Sequence, residues 1–287
     1  MSKEIDTKLN VQFTQADTFV NITSGENIST SFGKISRWYG EIQKKIDTEA
    51  TYTDIEKMFP KPYLTFQGTA PFTLATANGG KWNGTVEYST NLDTWETWDG
   101  TTTLSSGEGN VLYLRGKDNT RFATSTSNYT NFVFTTDGTI ACNGDIRRLL
   151  DYENPENTTM ATWCYYGMFS GCTSLTKAPD LPATTLTSDC YNSMFKGCTS
   201  LTTLPALPAA TLTSDCYNSM FYNCTNIKIS TTKTGDYQTP YRIPTSGTGS
   251  VSTTSMGNMF TNTGGTFTDT PTINTTYYTS NTVVSDS

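Results

Sequence analysis

Three patterns of apolar and polar positions succeed one another along the chain. In residues 1–22 the apolar side chains Ile5, Leu9, Val11, Phe13, Phe19, Val20 and Ile22 are scattered among polar ones, which predicts an extended segment. Thr23-Ser-Gly-Glu26 then has the form of a capping box, the arrangement that opens a helix. Behind it Ile28, Phe32, Ile35, Tyr39, Ile42 and Ile46 recur at alternating spacings of four and three. That alternation is the period of a coiled-coil seam. The run covers less than three heptads and is too short to hold a helix by itself. Two readings stand: an amphipathic helix packed on its own domain, or a short oligomerisation helix. Isoleucine at several seam positions favours three strands over two.

Pro60 and Pro62 end this pattern, and the second begins. Short runs predict strands at Tyr63–Phe66, Phe72–Ala75, Thr85–Tyr88, Val111–Leu114 and Asn131–Phe134. Turn signals separate them at Asn78-Gly-Gly80, Asn83-Gly84, Asp99-Gly100, Gly107-Glu-Gly109 and Asp137-Gly138. Strands at this spacing predict a small β-sandwich over residues 60–140. Trp95 and Trp98 lie beside a turn with Asp93, Glu96 and Asp99; they read either as core or as a platform for carbohydrate.

The third pattern is an internal repeat. Cys164-Tyr-Tyr-Gly-Met-Phe169-Ser-Gly-Cys172-Thr-Ser-Leu175 recurs from Cys190 to Leu201 and again from Cys216 to Ile227, with a period of 26 residues. A fixed period of this length predicts a stacked solenoid, in which each unit buries its apolar face against its neighbours. Within a unit, Thr187-Ser-Asp189 has N-cap chemistry, and Cys190, Met194 and Cys198 stand at i, i+4 and i+8. The reading is a helix from about Cys190, closed near Gly197, followed by a strand at Leu201–Leu204 and stops at Pro205 and Pro208. Met259-Phe260 reads as a degenerate fourth unit, displaced by an insertion at about 230–254. Residues 164–189 and 190–215 differ at seven positions: 166/192, 167/193, 170/196, 177/203, 178/204, 180/206 and 184/210. Most of these should face solvent. Tyr166, Lys177, Asn192, Lys196, Asn218 and Tyr222 are the candidate contacts if the surface binds anything; the alternative is drift on a solvated face.

Composition narrows the function. Only 16 % of the 287 residues are charged, and threonine fills roughly one position in five, a profile suited to a hydroxyl-covered β-rich protein. A net charge of −7 argues against a nucleic-acid partner. No apolar run is long enough to span a membrane. The start, Met1-Ser-Lys-Glu-Ile-Asp-Thr-Lys, has no apolar core of a secretion signal, so synthesis in a cytoplasm is expected. The chain has no histidine, which removes Ser-His-Asp and Cys-His nucleophile pairs and His-based zinc sites. Six of the seven cysteines fall at fixed repeat positions, which allows a ladder of small apolar thiols or disulfides between adjacent units. Their spacing is not that of a zinc site, and no cofactor is expected.

The Cys-Tyr-x-x-Met-Phe-x-x-Cys-Thr-Ser-Leu-Thr-x-x-Pro-x-Leu-Pro-Ala unit closely resembles BspA-like leucine-rich repeats, common in surface proteins of gut and oral bacteria and in their phages. Leu64–Phe66, Val86–Thr90, Tyr113–Arg115 and Ile140–Gly144 resemble the β-domain that often precedes such repeats. Ile22–Trp38 is similar to the N-terminal region of phage tail-fibre and related virion proteins. These resemblances imply a mixed, mainly β chain: an attachment and oligomerisation segment at 1–59, a β-sandwich at 60–140, and a short α/β leucine-rich-repeat solenoid with a polar β-rich C-terminus at 141–287. They imply a homotrimeric phage fibre or spike, docked on another virion protein and touching host-surface glycan. A capsid head-fibre or decoration protein, a bacterial adhesin and a polysaccharide depolymerase are the alternatives. The last would use two of Asp93, Glu96, Asp99 and Asp145 as acid and base.

If Ile28 to Ile46 joins three copies, light scattering of the full chain gives a trimer mass. Ile35→Asp with Ile42→Asp then yields monomers, because a carboxylate in a coiled-coil core has no partner. A monomer mass for the unmutated chain removes the seam.

Overall fold

The computed structural model describes residues 63–252 and 254–284. The expected extended segment, the capping box and the seam from Ile28 to Ile46 lie outside the described residues. The described part belongs to a single unit spanning Pro62–Ser287, whose start coincides with the proline break in the sequence. It is mainly β: its helical segments are 3₁₀ turns of three or four residues. No helix among the described residues is long and apolar enough to cross a membrane.

The strands of the first half are β1 (Leu64–Gly68), β2 (Phe72–Thr76), β3 (Thr85–Ser89), β4 (Glu96–Thr97), β5 (Leu104–Ser105), β6 (Val111–Lys117), β7 (Ala123–Ser125), β8 (Asn128–Tyr129), β9 (Phe132–Thr136) and β10 (Ile140–Asn143). With β11 (Leu175–Lys177) they form a six-stranded sheet ordered β11-β10-β1-β6-β3-β4 and a three-stranded sheet ordered β5-β2-β9. Alternation decides which side faces in. On β6, Leu112, Leu114 and Gly116 are buried while Tyr113, Arg115 and Lys117 point outward. The two sheets meet through aromatic rings, Phe66 of β1 lying 5.3 Å from Phe134 and 6.2 Å from Phe132 of β9. All five expected strands are present, displaced by at most a few residues. The boundary expected at residue 140 falls inside the larger sheet, since β10 pairs with β1 on one side and with β11 of the first repeat on the other. One hydrophobic core runs through both regions.

The helix expected at Cys190 is not there. Residues 162–171, 188–197, 214–223 and 254–262 are ribbons of consecutive turns. The reason lies at every fourth position. Trp163, Gly167 and Gly171 have φ of 59°, 59° and 78°, and Asp189, Ser193, Gly197, Asp215, Ser219, Asn223, Thr254, Asn258 and Asn262 repeat this left-handed conformation. A residue there ends any right-handed helix, and Gly, Asn, Asp and Ser tolerate it because they are small or bond locally. The spacing of four between Cys190, Met194 and Cys198 is thus the period of a turn ribbon.

Backbone hydrogen bonding alternates along each ribbon. The amides of Cys164, Tyr166, Met168, Ser170 and Cys172 donate to the carbonyl three residues back. Those of Trp163, Tyr165, Gly167, Phe169 and Gly171 donate to Ser188, Cys190, Asn192, Met194 and Lys196 of the next repeat, at 2.7–3.1 Å. Both sets are therefore satisfied without a helix or a regular sheet. The same pattern links the second ribbon to the third and the third to the fourth, where Tyr217, Ser219, Phe221 and Asn223 donate to Ser255, Gly257, Met259 and Thr261. Met259-Phe260 is the fourth unit that the sequence marks.

The inward side chains stack in columns. Tyr165, Tyr191 and Tyr217 have centroids 5.5 and 5.9 Å apart and are within 13° of parallel. Phe169, Phe195, Phe221 and Phe260 continue at 5.5–5.7 Å. Such ring pairs contribute about 0.5–1.5 kcal/mol each beyond their buried area. Beside them the seven cysteines are free and buried. The thiols of Cys172, Cys198 and Cys224 donate to the carbonyls of Phe132, Phe169 and Phe195 at 3.0–3.1 Å, one repeat back for the last two.

Both ends of the stack are covered. Phe122 and Phe132 amides donate to Cys164 and Met168 carbonyls, and the Phe122 ring stacks 5.9 Å from Tyr165. At the far end Phe260 donates to Asp269, and Phe267 packs against Phe260 and Tyr277. The repeat strands are short: β11, β12 (Thr203–Pro205), β13 (Thr211–Leu212) and β14 (Ile229–Ser230). The strand expected at Leu201–Leu204 is β12, shifted toward Pro205. After them come β15 (Thr239–Arg242), β16 (Ser250–Val251), β17 (Thr276–Thr279) and β18 (Thr282–Val284). β17 pairs with β14 and β15, and β18 lies parallel to β12. Buried Asn281 ties this return to the repeats: its Nδ2 donates to the Thr202 and Asn226 carbonyls, and its Oδ1 accepts from the Lys228 amide.

The expectation that most repeat differences face solvent holds for 166/192, 170/196 and 184/210 but not throughout: Gly167, Ala178, Thr203, Leu204 and Ala206 are buried. Tyr166 and Gly167 differ from Asn192 and Ser193 because Tyr129 of β8 packs there. Its ring lies 5.2 Å from that of Tyr166, and a Cβ on Gly167 would come within 2.7 Å of it. The first repeat meets sheet strands while the second meets another repeat, so their sequences diverge at the junction.

Two outcomes test this account. A Cβ on Gly171 meets nothing within 4 Å, so substitution there reports backbone strain alone. Gly171→Val is expected to cost about 1–2 kcal/mol in denaturant unfolding, with Gly171→Asn clearly milder. Burial pushes the Cys216 thiol up to about 11 and Cys224 up to about 12. A raised thiol favours the protonated form in the folded state, so its stabilisation is intact below the ordinary thiol range and lost as pH climbs through the folded values. The melting temperature should therefore be level to about pH 8.5 and fall beyond it. Reductant should leave it unchanged, and denatured protein should titrate seven thiols. A large loss on reduction would indicate disulfides instead.

Candidate functional site: the outward face of the turn ribbons

Each four-residue turn sends two side chains inward and two outward. The inter-repeat bonds set Tyr166, Asn192 and Asn218 in one outward column and Ser170, Lys196 and Tyr222 in the next. Five of the six candidate contacts thus share one face. Lys177 does not: it sits on β11, where its Nζ donates to Asn143 Oδ1 of β10 at 2.6 Å.

The two asparagines hold their own turns. Asn192 Nδ2 donates to Asp189 Oδ1 at 2.8 Å, and Ser193 Oγ donates to Asn192 Oδ1 at 2.8 Å. Asn218 repeats this with Asp215 and Ser219 at 2.9 and 2.8 Å. Burial raises the Asp189 carboxyl, opposed by the Asn192 hydrogen bond and reinforced by the Asp215 charge. Tyr166 is half-buried against Tyr129. Lys196 is exposed, its ammonium 5.2 Å from the centroid of the half-buried Tyr222 ring. Lys196 and Tyr222 are therefore the pair on this face best placed to meet a ligand.

The two tryptophans separate. Trp98 is core, 1 % exposed, with Nε1 donating to the Thr102 carbonyl at 2.8 Å. Trp95 is half-buried on the outer side of the larger sheet. The Arg115 guanidinium lies between it and Tyr152, 4.0 and 4.2 Å from the two ring centroids, while Arg115 Nε donates to Glu87 at 2.7 Å. Sequence reading missed this cluster. Its signal is the alternation of Tyr113, Arg115 and Lys117 together with the Glu87–Arg115 pairing, and the second needs the strand register.

Three of the four carboxylates considered for acid–base chemistry hold local structure, while Asp93 is exposed. Asp99 accepts from the amides and hydroxyls of Thr101 and Thr102, which keeps its carboxyl well below the usual range. Glu96 accepts from the Tyr88 hydroxyl. Asp145 caps a 3₁₀ turn and pairs with Arg147. Among the described residues no group of three His, Cys, Asp or Glu side chains is placed to hold a metal. The ribbon face offers hydroxyl, amide and phenol groups and an ammonium on a shallow surface, chemistry suited to holding a polar ligand. Set against known protein families, curated proteins and solved structures, the chain matches none.

Proposed function

We propose that the chain is a structural virion protein, a homotrimeric phage fibre or spike that touches host-surface glycan without cutting it. The observation that carries this reading is the stack of ribbons whose inward rings and thiols are committed to the next repeat, while the outward columns form a shallow polar face. On this reading the repeat region is a short solenoid of leucine-rich-repeat type, and the two sheets, the larger of which extends through β10 to β11, are a β-sandwich that covers its first unit. The seam from Ile28 to Ile46 joins three copies, and residues 1–59 dock on another virion protein. Three shallow faces turn individually weak contacts into useful avidity where geometry lets them engage together. No cofactor, nucleic acid or membrane insertion enters this function.

Immunogold labelling of virions should place the chain on a fibre or spike of the particle, with a tail or a capsid position separating tail fibre from head fibre. The purified full chain should adhere to host cells without releasing reducing sugar ends, and a form cut at about residue 60 should lose adhesion. Labelling absent from particles removes the virion reading. Release of reducing ends promotes the depolymerase.

A further inference from the structure

The repeat is interrupted once, by the insertion between the third and fourth ribbons, and a shallow, open depression lies there. β16 lies parallel to β13, with Ser250 and Ser252 amides donating to Ala210 and Leu212 carbonyls at 2.8 and 2.9 Å. Beside this pair runs an open groove of about 500 Å³. Six hydroxyl residues line it: Ser188, Thr211, Thr213, Ser214, Ser250 and Ser252. Of these, Thr213 has its Oγ1 buried and Ser214 donates its hydroxyl to Asp215, so the hydroxyls offered to a ligand are those of Ser188, Thr211, Ser250 and Ser252. Leu212 and Val251 supply its apolar part, and Val251, 50 % exposed, is one of two large hydrophobic residues left open among those described.

We infer that this groove binds a stretch of uncharged polysaccharide laid along the stacking direction of the repeats. Three features select that ligand. The lining contains no ionisable side chain, and hydroxyls that both donate and accept match the hydroxyls of a sugar ring. An exposed aliphatic side chain among them suits the apolar face of a hexose. The lining residues come from successive repeats, Ser188, then Thr211 to Ser214, then Ser250 to Ser252, so the same kind of group recurs at each step. Those steps follow the ring columns, spaced 5.9 Å between Tyr191 and Tyr217 and 5.7 Å between Phe221 and Phe260. That is close to the length of a hexose unit in an extended chain. Acidic glycans are disfavoured, because Asp189 and Asp215 directly follow Ser188 and Ser214, and Asp215 already accepts from the Ser214 hydroxyl.

This inference deepens the glycan reading above and rests on it. The test uses the full chain, immobilised glucan, mannan and galactan, matched uronate- and sialate-containing glycans, and polysaccharide extracted from host cells. The variant is Ser250→Asp with Val251→Asp, both at exposed positions; Thr211→Val, also exposed, is a milder second variant should the first lose its melting transition. Lys196→Ala with Tyr222→Ala tests the ribbon face as the competing site. The expected result is binding to an uncharged glycan that falls at least about tenfold in the groove variant, measurably in Thr211→Val, and by more in the groove variant than in the ribbon-face variant. Loss only in the ribbon-face variant overturns the groove and leaves the glycan reading standing on the ribbon face. Stronger binding to the acidic glycans overturns the ligand class. Binding to none of the glycans, host polysaccharide included, overturns both.

Discussion

Everything in the second half of this chain depends on a left-handed residue at every fourth position of the ribbons. That conformation stops the backbone from continuing as a helix and turns alternate amides toward the neighbouring repeat. Tyr165, Gly167 and Phe169 donate across, while Tyr166, Met168 and Ser170 donate within. A helix would have satisfied its own amides and left stacking to side chains alone. The ribbon joins each repeat to the next through the backbone, so the rings of Tyr165, Tyr191 and Tyr217 are held in register by hydrogen bonds as well as by packing. Left-handed residues are usually an occasional strain. Here they recur at Asp189, Ser193 and Gly197 as the rule of construction.

The same constraint explains what could and could not be read from the sequence. The period of 26, the buried Cys, Met and Phe, the fourth unit at Met259-Phe260 and the five strands between Tyr63 and Phe134 were legible, because each rests on a local pattern, whereas the buried column Tyr165, Tyr191 and Tyr217 was not. The helix was misread because buried residues at a spacing of four satisfy a helix template and a turn ribbon alike. The residue types that separate the two recur at Gly167, Ser193, Gly197, Ser219 and Asn223, yet in sequence Gly197 reads equally as a helix stop and the 167/193 pair as variable surface. Of the candidate site, the common face of Tyr166, Asn192, Lys196, Asn218 and Tyr222 followed from the period. Three things did not: the hydrogen bonds that commit Asn192 and Asn218 to their turns, the separation of Lys177 on β11, and the Arg115 cluster. Each depends on strand or turn geometry that no spacing encodes.

The junction between sheets and repeats shows how a periodic structure accommodates a neighbour of another kind. Tyr129 occupies the space where a ribbon preceding the first would lie, and Gly167 and Tyr166 replace Ser and Asn to admit it. Asn131 Nδ2 then donates to the Gly167 and Ser170 carbonyls, at Ser170 taking the place of the preceding-ribbon amide that Lys196 and Tyr222 accept from. Cys172 finds its acceptor on Phe132 of β9, just as Cys198 and Cys224 find theirs on Phe169 and Phe195. The thiol ladder therefore begins outside the repeats. This is a reason to regard Cys there as a weak donor with a required partner as well as a small apolar residue.

A frame of this kind divides its residues sharply. The inward columns tolerate little, since a change in one ring or thiol is felt by the repeats on both sides. The outward columns are partly fixed as well, because Asp189, Asn192 and Ser193 bond to one another to maintain the left-handed turn. Variation without loss of the stack is left to the second outward column, Ser170, Lys196, Tyr222 and Thr261, and to places where the period is broken. The insertion before Ser250 is such a place: it alters the surface between two repeats while Phe221 and Phe260 remain stacked at 5.7 Å. Variation in a chain built this way gathers in that second outward column and where the repeat rule has been relaxed, because elsewhere the same atoms are needed to hold the turns.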